Sequence, residues 1–449
     1  MRCRRREGSR SAPTLAHPVR LGGAAVRAVA VTVSMAGLVA CGGGNGGPAD
    51  ASSPSHRATL PSATATLSSS ASSTHGPASD VRKLLAARSK ALMRADRPGF
   101  VGAIDKSATA LLADQRTFYD NVRGASLASW TYTIDPKSAH RHDTKGAESW
   151  DYVVYTTYTF AGLPGQRAVV SHQVQVAERT NGWRITAITP KDTHTEPWDL
   201  GRTLSVRSGR VVVVGVDRSR EELAKIRDQA AAAIPRVDDV WRGDWARGVV
   251  VVVPPDTSGA GELTGTENIA SLAAVATGGS AVDASGAMQR WERVVVNPTA
   301  WQKMDSTGRE VVLAHELTHV ATGSLGAVPI WVSEGMADYV GWKDSGLSTR
   351  RIAQELGAEV RRGDLPDDLP VEADFRGEWV DQAYEAAWLA ARYIAFRYGE
   401  DKLLAVYRGM ADQPSTSKAD QDRVLRSTLK VSRSAFLHGW RSYLQARLH

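Results

Sequence analysis

The chain has two cysteines in 449 residues, Cys3 and Cys41, both near the N-terminus. Once a leader is removed, no disulfide and no spare thiol remains to the folded body. Long apolar runs are missing too. The candidate stretch, Ala28 to Ala40, falls short of the roughly 20 residues a membrane-spanning helix needs. A genuine charge imbalance is also absent. The formal net charge is +7, but residues 1–40 hold seven arginines (Arg2, Arg4, Arg5, Arg6, Arg10, Arg20, Arg27) against one acid, Glu7, so six of those charges belong to that segment. The rest of the chain is nearly neutral, which excludes the basic footprint of a nucleic-acid partner.

The first 40 residues read as an export signal, an arginine-rich stretch followed by a short apolar run. That run ends in Leu38-Val39-Ala40-Cys41, followed by three glycines, and resembles a bacterial lipobox. The resemblance implies a lipid-modified Cys41 at the mature N-terminus and an anchor on the extracytoplasmic face of a membrane. Ordinary cleavage near Ala40, giving a secreted product, is the alternative. Residues 41–78 are mostly Gly, Ser, Ala, Thr and Pro. They bury too little apolar surface to offset their ordering entropy and are expected to form a disordered tether.

Residues 79–195 begin with two helical patterns, one carrying Leu84, Leu85, Leu92 and Met93, the other Phe100, Val101, Ile104, Leu111 and Leu112. Strand patterns follow at Trp130–Ile134, Trp150–Phe160, Val169–Ala177 and Trp183–Ile188, the last two joined across Asn181-Gly182, a hairpin signal. The expected fold class is α+β, starting with a helix-plus-antiparallel-sheet roll of cystatin-like or nuclear-transport-factor-like architecture. This roll is read as an accessory region able to bind a protein partner. His140, His142, Asp143 and His172 form a metal cluster only on paper and are read as surface and strand-edge residues.

Residues 196–449 carry a hairpin (Leu204–Val206 with Val211–Val216), an alanine-rich helix from Ser219 to Val240, and a buried strand at 248–253. A Gly/Ser/Thr-rich stretch, 256–288, reads as loop. A short strand, Arg293–Val296, reads as an edge able to pair with an extended peptide. A helix starts near Ser306-Thr307, where Glu310 completes a capping-box pattern. Helices are then expected at 332–342, 348–362, 381–398, 400–411, 419–428 and 433–447.

The chemistry lies at the start of that helical part. His315-Glu316-Leu317-Thr318-His319 places two imidazoles one helical turn apart on one face, with a carboxylate at its shoulder. Apolar neighbours (Val311, Val312, Leu313, Ala314, Leu317, Val320, Ala321) mark the helix as buried, and buried ionisable groups need partners. A metal ion supplies one. H-E-x-x-H is a zinc-peptidase signature, and a carboxylate fifteen residues on, Glu334, would complete a His2Glu set with one position open.

With Pro329, Trp331, Glu334, Gly335 and Ala337 following, the segment resembles the gluzincin branch of zinc metallopeptidases, in the peptidase-MA-like wording. The resemblance covers roughly residues 200–449 and implies a mixed sheet, the motif helix and a C-terminal helical lobe. It implies His315, His319 and Glu334 as ligands of a zinc ion, Glu316 as general base, and a peptide or protein substrate. Asp338, one turn beyond Glu334, would orient a ligand imidazole; interaction with its helix dipole, or ligation in place of Glu334, is the alternative reading. Tyr384 falls where this family places a tyrosine that donates to the developing oxyanion, although Ala386 and Ala387 replace its Lys-Gly pair. A tyrosine packed in the lobe is the alternative, and Tyr393 and His438 are weaker candidates. Gly286-Ala287-Met288-Gln289-Arg290 matches the family's G-A-M-E-N stretch in three residues, but Gln289 replaces the acid that grips a substrate amine. A zinc-binding scaffold without proteolytic activity, or a hydrolase of non-peptide amides, are the rival readings.

Overall fold

The computed structural model describes residues 77–449 apart from 145–146, 164, 192–193, 267–268, 284 and 377. The leader, Cys41 and the tether up to residue 76 lie outside the described residues. Among the described residues no helix is long and apolar enough to cross a membrane.

Three helices open the fold: α1 (Ala78–Met93), α2 (Arg97–Val101) and α3 (Thr109–Val122). Two had been expected. The second apolar pattern is split because Asp96 caps α2, accepting from Gly99 N at 2.9 Å, and Ile104 then pairs with Ile185 as an isolated bridge. An antiparallel meander follows in sequence order, β1 (Leu127–Thr144), β2 (Ala147–Phe160), β3 (Arg167–Ala177) and β4 (Arg184–Pro190). Gly182 takes φ +88° in the last hairpin, a conformation glycine adopts without steric cost.

A short helix, α4 (Pro197–Leu200), leads to the second sheet, built from β5 (Thr203–Ser208), β6 (Val211–Val216), β7 (Val249–Val253), β8 (Ala274–Val282) and β9 (Met288–Val296). Helix α5 (Arg220–Val240) joins β6 to β7, and α6 (Thr257–Thr264) follows β7. The spatial order is β5-β6-β7-β9-β8. The inner strands β6, β7 and β9 run parallel, and β5 and β8 lie antiparallel at the two edges. Two sequence expectations change here. The Gly/Ser/Thr-rich stretch is not simply loop, since it supplies α6 and β8. Residues 293–296 are not an edge, because β9 lies between β7 and β8. Low strand propensity hid β8, and pairing with β9 along its whole length overrides it.

The valine runs follow from burial on both faces of this sheet. Val211, Val213, Val249, Val251, Val253, Val294 and Val296 pack with α5 and the helical lobe. The alternate residues Val212, Val214, Val250, Val252 and Val295 pack with Phe100, Trp130, Tyr158 and Trp198 of the first region. The roll therefore backs the sheet on the face opposite the helices.

The lobe contains α7 (Pro298–Gln302), α8 (Ser306–Thr322), α9 (Ile330–Trp342), α10 (Thr349–Ile352), α11 (Gln354–Arg362), α12 (Val380–Tyr398), α13 (Glu400–Ala411), α14 (Lys418–Val424) with a π-helical turn at Leu425–Leu429, and α15 (Arg433–Leu448). The expected helix 348–362 is interrupted at Ala353 (φ −99°, ψ 68°). The cap of α8 also differs from expectation. Asp305, not Ser306 or Thr307, accepts from Gly308 N at 2.7 Å, and Glu310 turns away to Arg236 of α5 at 2.6 Å.

Helix α9 is fixed between two others by glycines. A Cβ on Gly341 would meet Val311 O of α8 at 3.0 Å, and one on Gly335 would meet Ala387 O of α12 at 2.4 Å. Trp331, 2% exposed, anchors the start of α9 by donating from Nε1 to Gln421 Oε1 at 3.2 Å. The spacing Trp331, Glu334, Gly335 thus has a packing cause: anchor, ligand candidate, and close approach. Gly335→Ala must push a backbone aside and should cost about 1–3 kcal/mol in urea unfolding. Gly261→Ala in α6, where the nearest atom lies 3.5 Å away, should be close to neutral or slightly stabilising. Equal effects of the two substitutions would contradict this account of α9.

Candidate metal centre

The turn-to-turn geometry of α8 places His315 Nε2 3.0 Å from His319 Nε2. From α9, Glu334 Oε2 comes within 3.4 Å of His315 Nε2 and 3.6 Å of His319 Nε2. Among the described residues, this is the group of three or more His, Cys, Asp or Glu side chains whose donor atoms converge closely enough to hold a metal ion. His140 and His142 lie ring to ring at 5.2 Å, and His142 pairs with Asp151 at 2.6 Å, but they join no such group.

The donor set fits a divalent cation. Ligand atoms about 2.05 Å from a tetrahedral centre lie about 3.3 Å from one another, close to the three separations found. All three residues are buried, and Glu334 Oε2 has no hydrogen-bond partner among the described residues. An orphaned carboxylate oxygen facing two imidazole nitrogens is costly unless a cation sits between them. The outer nitrogens are held as ligands require. Asp338 Oδ1 accepts from His315 Nδ1 at 2.8 Å, which leaves the lone pair of Nε2 directed at the cluster. His319 Nδ1 lies 3.5 Å from Ser333 Oγ.

The electrostatics of this cluster call for positive charge. Burial works to raise Glu334, but the neighbouring charge of His319 and the approach of both imidazoles bring it down to about 2. Burial works to lower His315, yet Asp338 and Glu334 hold it well above the ordinary histidine value. Burial raises Asp338, against the pull of His315. The shifts of Glu334 and His315 both favour positive charge at the centre of the cluster, which a divalent ion would supply.

Glu316 is the remaining member. It is 0% exposed, and burial, opposed by both histidines and a backbone N–H, pushes it up to about 7. That N–H is Ala276 N of β8, 2.5 Å from Glu316 Oε2, while Oε1 has no partner among the described residues. Ala273 O bonds Asn297 N across the sheet, so Ala276, in the opposite phase, turns its N–H outward over α8. The edge strand thus holds one oxygen of Glu316 and leaves the other unengaged.

The other sequence candidates are placed as follows. Tyr384 is buried on α12, its ring 5.0 Å from Phe375 edge to face. It lies one turn before Ala387 on the face turned toward α9. Tyr393 belongs to an aromatic cluster with Tyr398, Phe436 and Tyr443, and His438 is exposed on α15. Gln289 donates to Asp283 Oδ2 at 2.9 Å in the β8–β9 hairpin. Sequence reasoning missed three residues near the cluster. Ser333 faces His319. Tyr407 on α13 lies against the hydroxyls of Thr322 and Ser333, and burial raises it to about 12. Glu292 of β9 fills the space beside Gly323 at the end of α8. Only Ser333, adjacent to Glu334, carried a sequence signal.

No protein-family profile matches the sequence, and no curated protein matches it. Among solved structures, the chain is similar to an M1 zinc metallopeptidase from Deinococcus radiodurans, at 15% identity and a TM-score of 0.34, over 72% of this chain and 62% of that one. A mutant two-domain M1 zinc metallopeptidase bound to L-arginine gives the same identity and coverage at a TM-score of 0.33. A mutant form of the Deinococcus radiodurans protein with a Tyr-Ser-Ala substrate gives 14% and 0.31. The chain covers less than two thirds of the length of these neighbours. The chemistry proposed below rests on the site itself.

Two outcomes follow from this geometry. Asp338→Ala frees the His315 ring and should weaken zinc binding about 10–100-fold in a competitive chelator titration; unchanged affinity would remove Asp338 from the site. Burial lifts Glu292 to about 7, against the opposing charge of Arg290, from an ordinary value of 4.5. Between those values the folded protein keeps a proton that the unfolded chain has released, so stability falls as pH rises through the window. Glu292→Gln should flatten that decline, gaining up to about 3 kcal/mol relative to wild type between pH 5 and pH 8 in urea unfolding. A wild-type-to-variant difference that is the same at both pH values would refute the assignment.

Proposed function

We propose that the protein is a zinc metallopeptidase acting outside the cytoplasm, tethered to a membrane through lipid-modified Cys41, with zinc held by His315, His319 and Glu334. The observation that carries this reading is the convergence of the three donor atoms beside a buried glutamate with one unengaged oxygen. A zinc ion in this position supplies Lewis acidity, polarising a substrate carbonyl and lowering the pKa of water.

The chain's own groups perform the rest. Asp338 fixes the His315 tautomer, and Glu334 balances charge. Glu316 Oε1 takes a proton from the attacking water and returns it to the departing amine nitrogen, a role suited to a carboxyl raised toward neutrality. Ala276 N–H keeps Oε2 in place, so the proton moves at one defined oxygen. An extended peptide fits beside the outward edge of β8, where Gly278, in phase with Ala276, is exposed and can offer its backbone groups. Tyr384 is the proposed hydroxyl donor to the developing oxyanion.

Glu316→Gln preserves shape and leaves the three donors intact. It should retain zinc at wild-type stoichiometry and lose cleavage of a responsive peptide by about a hundredfold or more. Cleavage at the wild-type rate would exclude this mechanism. Zinc retention without any cleavage by the wild-type protein, across a broad peptide library, would favour a binding scaffold.

A further inference from the structure

The first region contains a cavity of about 240 Å³ between α1, α3 and the meander, lined by none of the residues of the metal centre. Its wall is largely apolar, with Leu85, Phe118, Val154, Val174 and Ile188 among its residues. A cavity of 150 Å³ lined by apolar groups holds benzene, so this one has room for about ten non-hydrogen atoms.

One member of the wall is unlike the rest. Arg88 lines the cavity and is 2% exposed, yet no carboxylate among the described residues pairs with it. Its contacts are all neutral. Nη1 donates to Phe100 O at 2.9 Å, Nη2 to Gln115 Oε1, and Nε to Tyr132 Oη at 3.4 Å. The guanidinium also lies 3.6 Å from the Phe100 ring centre. A guanidinium has five N–H donors, so three acceptors leave two uncommitted. Burying a charge without a counter-charge costs several kcal/mol. In the same wall, Trp130 Nε1–H has no acceptor among the described residues. Both vacancies ask for an acceptor, and the first asks for negative charge. The acids in the wall do not supply it. Glu196 gives Oε2 to Arg293 at 2.9 Å, its Oε1 staying buried without a hydrogen-bond partner among the described residues, and Asp199 is exposed and accepts from Glu196 N at 2.9 Å.

We propose that this cavity binds a small monocarboxylate with an apolar body, its carboxylate on Arg88 in the forked geometry that guanidinium favours and its body against the leucine, valine and aromatic side chains. Hydrogen bonds to charged groups contribute roughly 1.5–3 kcal/mol. An anion should therefore bind at least about tenfold tighter than a neutral molecule of the same shape.

Octanoate and octanamide, each of about ten non-hydrogen atoms and so matched to the cavity, make the comparison by isothermal calorimetry on the purified protein. Octanoate should bind at least about tenfold tighter than octanamide. Arg88→Met keeps length and apolar contact, and should erase that preference. Because Arg88 also ties α1 to Phe100, this variant could fail to fold. Val174→Trp leaves Arg88 in place, fills the cavity, and should abolish binding of both compounds. Equal affinity for the two compounds, no binding of octanoate at millimolar concentration, or unchanged octanoate binding in either variant would overturn the proposal. The metal centre plays no part in this readout, so its failure would leave the hydrolytic reading untouched.

Discussion

The position of α9 is the constraint on which the site depends. Glu334 and Asp338 lie one turn apart on that helix, and both must reach imidazoles on α8. They do so only because Gly341 lets α9 approach α8 and Gly335 lets α12 press from another side. A displacement of about 1 Å would move a carboxylate out of hydrogen-bond range of His315 and spread the three donor atoms beyond a common centre. The burial that suits these groups to hold a cation also makes them costly, and the cost is offset only while they face one another.

The edge strand β8 adds a second level of control. In a zinc-type site, the base must stand beside the ion without joining it. Glu316, the base in the proposed mechanism, is held beside the donor set by a backbone hydrogen bond from Ala276 N to Oε2. The positioning group belongs to main chain, so no side-chain pattern announces it.

The core of the site was readable from the sequence because its spacing is local. His315 and His319 share a helix face by periodicity, and the boundaries of the later helices follow from their amphipathic runs and caps. Glu334 needed the family resemblance, since a fifteen-residue separation across a loop has no geometric meaning by itself. What escaped reading is non-local. β8 looks like loop because glycine and serine dominate it, and β9 looks like an edge because its neighbour was unseen. Ser333, Tyr407 and Glu292 acquire their neighbours only when α8, α9, α13 and β9 meet. The cap of α8 was misplaced by one or two residues because Asp305, Ser306 and Thr307 are all good capping types, and backbone conformation decided among them.

The valines of β6, β7 and β9 face two cores in alternation, and β9 shows what this means for dividing the molecule. Glu292 looks toward the motif helix while its neighbour Arg293 looks the other way, into the buried pair with Glu196. A segment beginning only after residue 200 would expose one whole valine face and strand a guanidinium without its acid. The two regions therefore share the core on that face of the sheet, and separating them would open it to water.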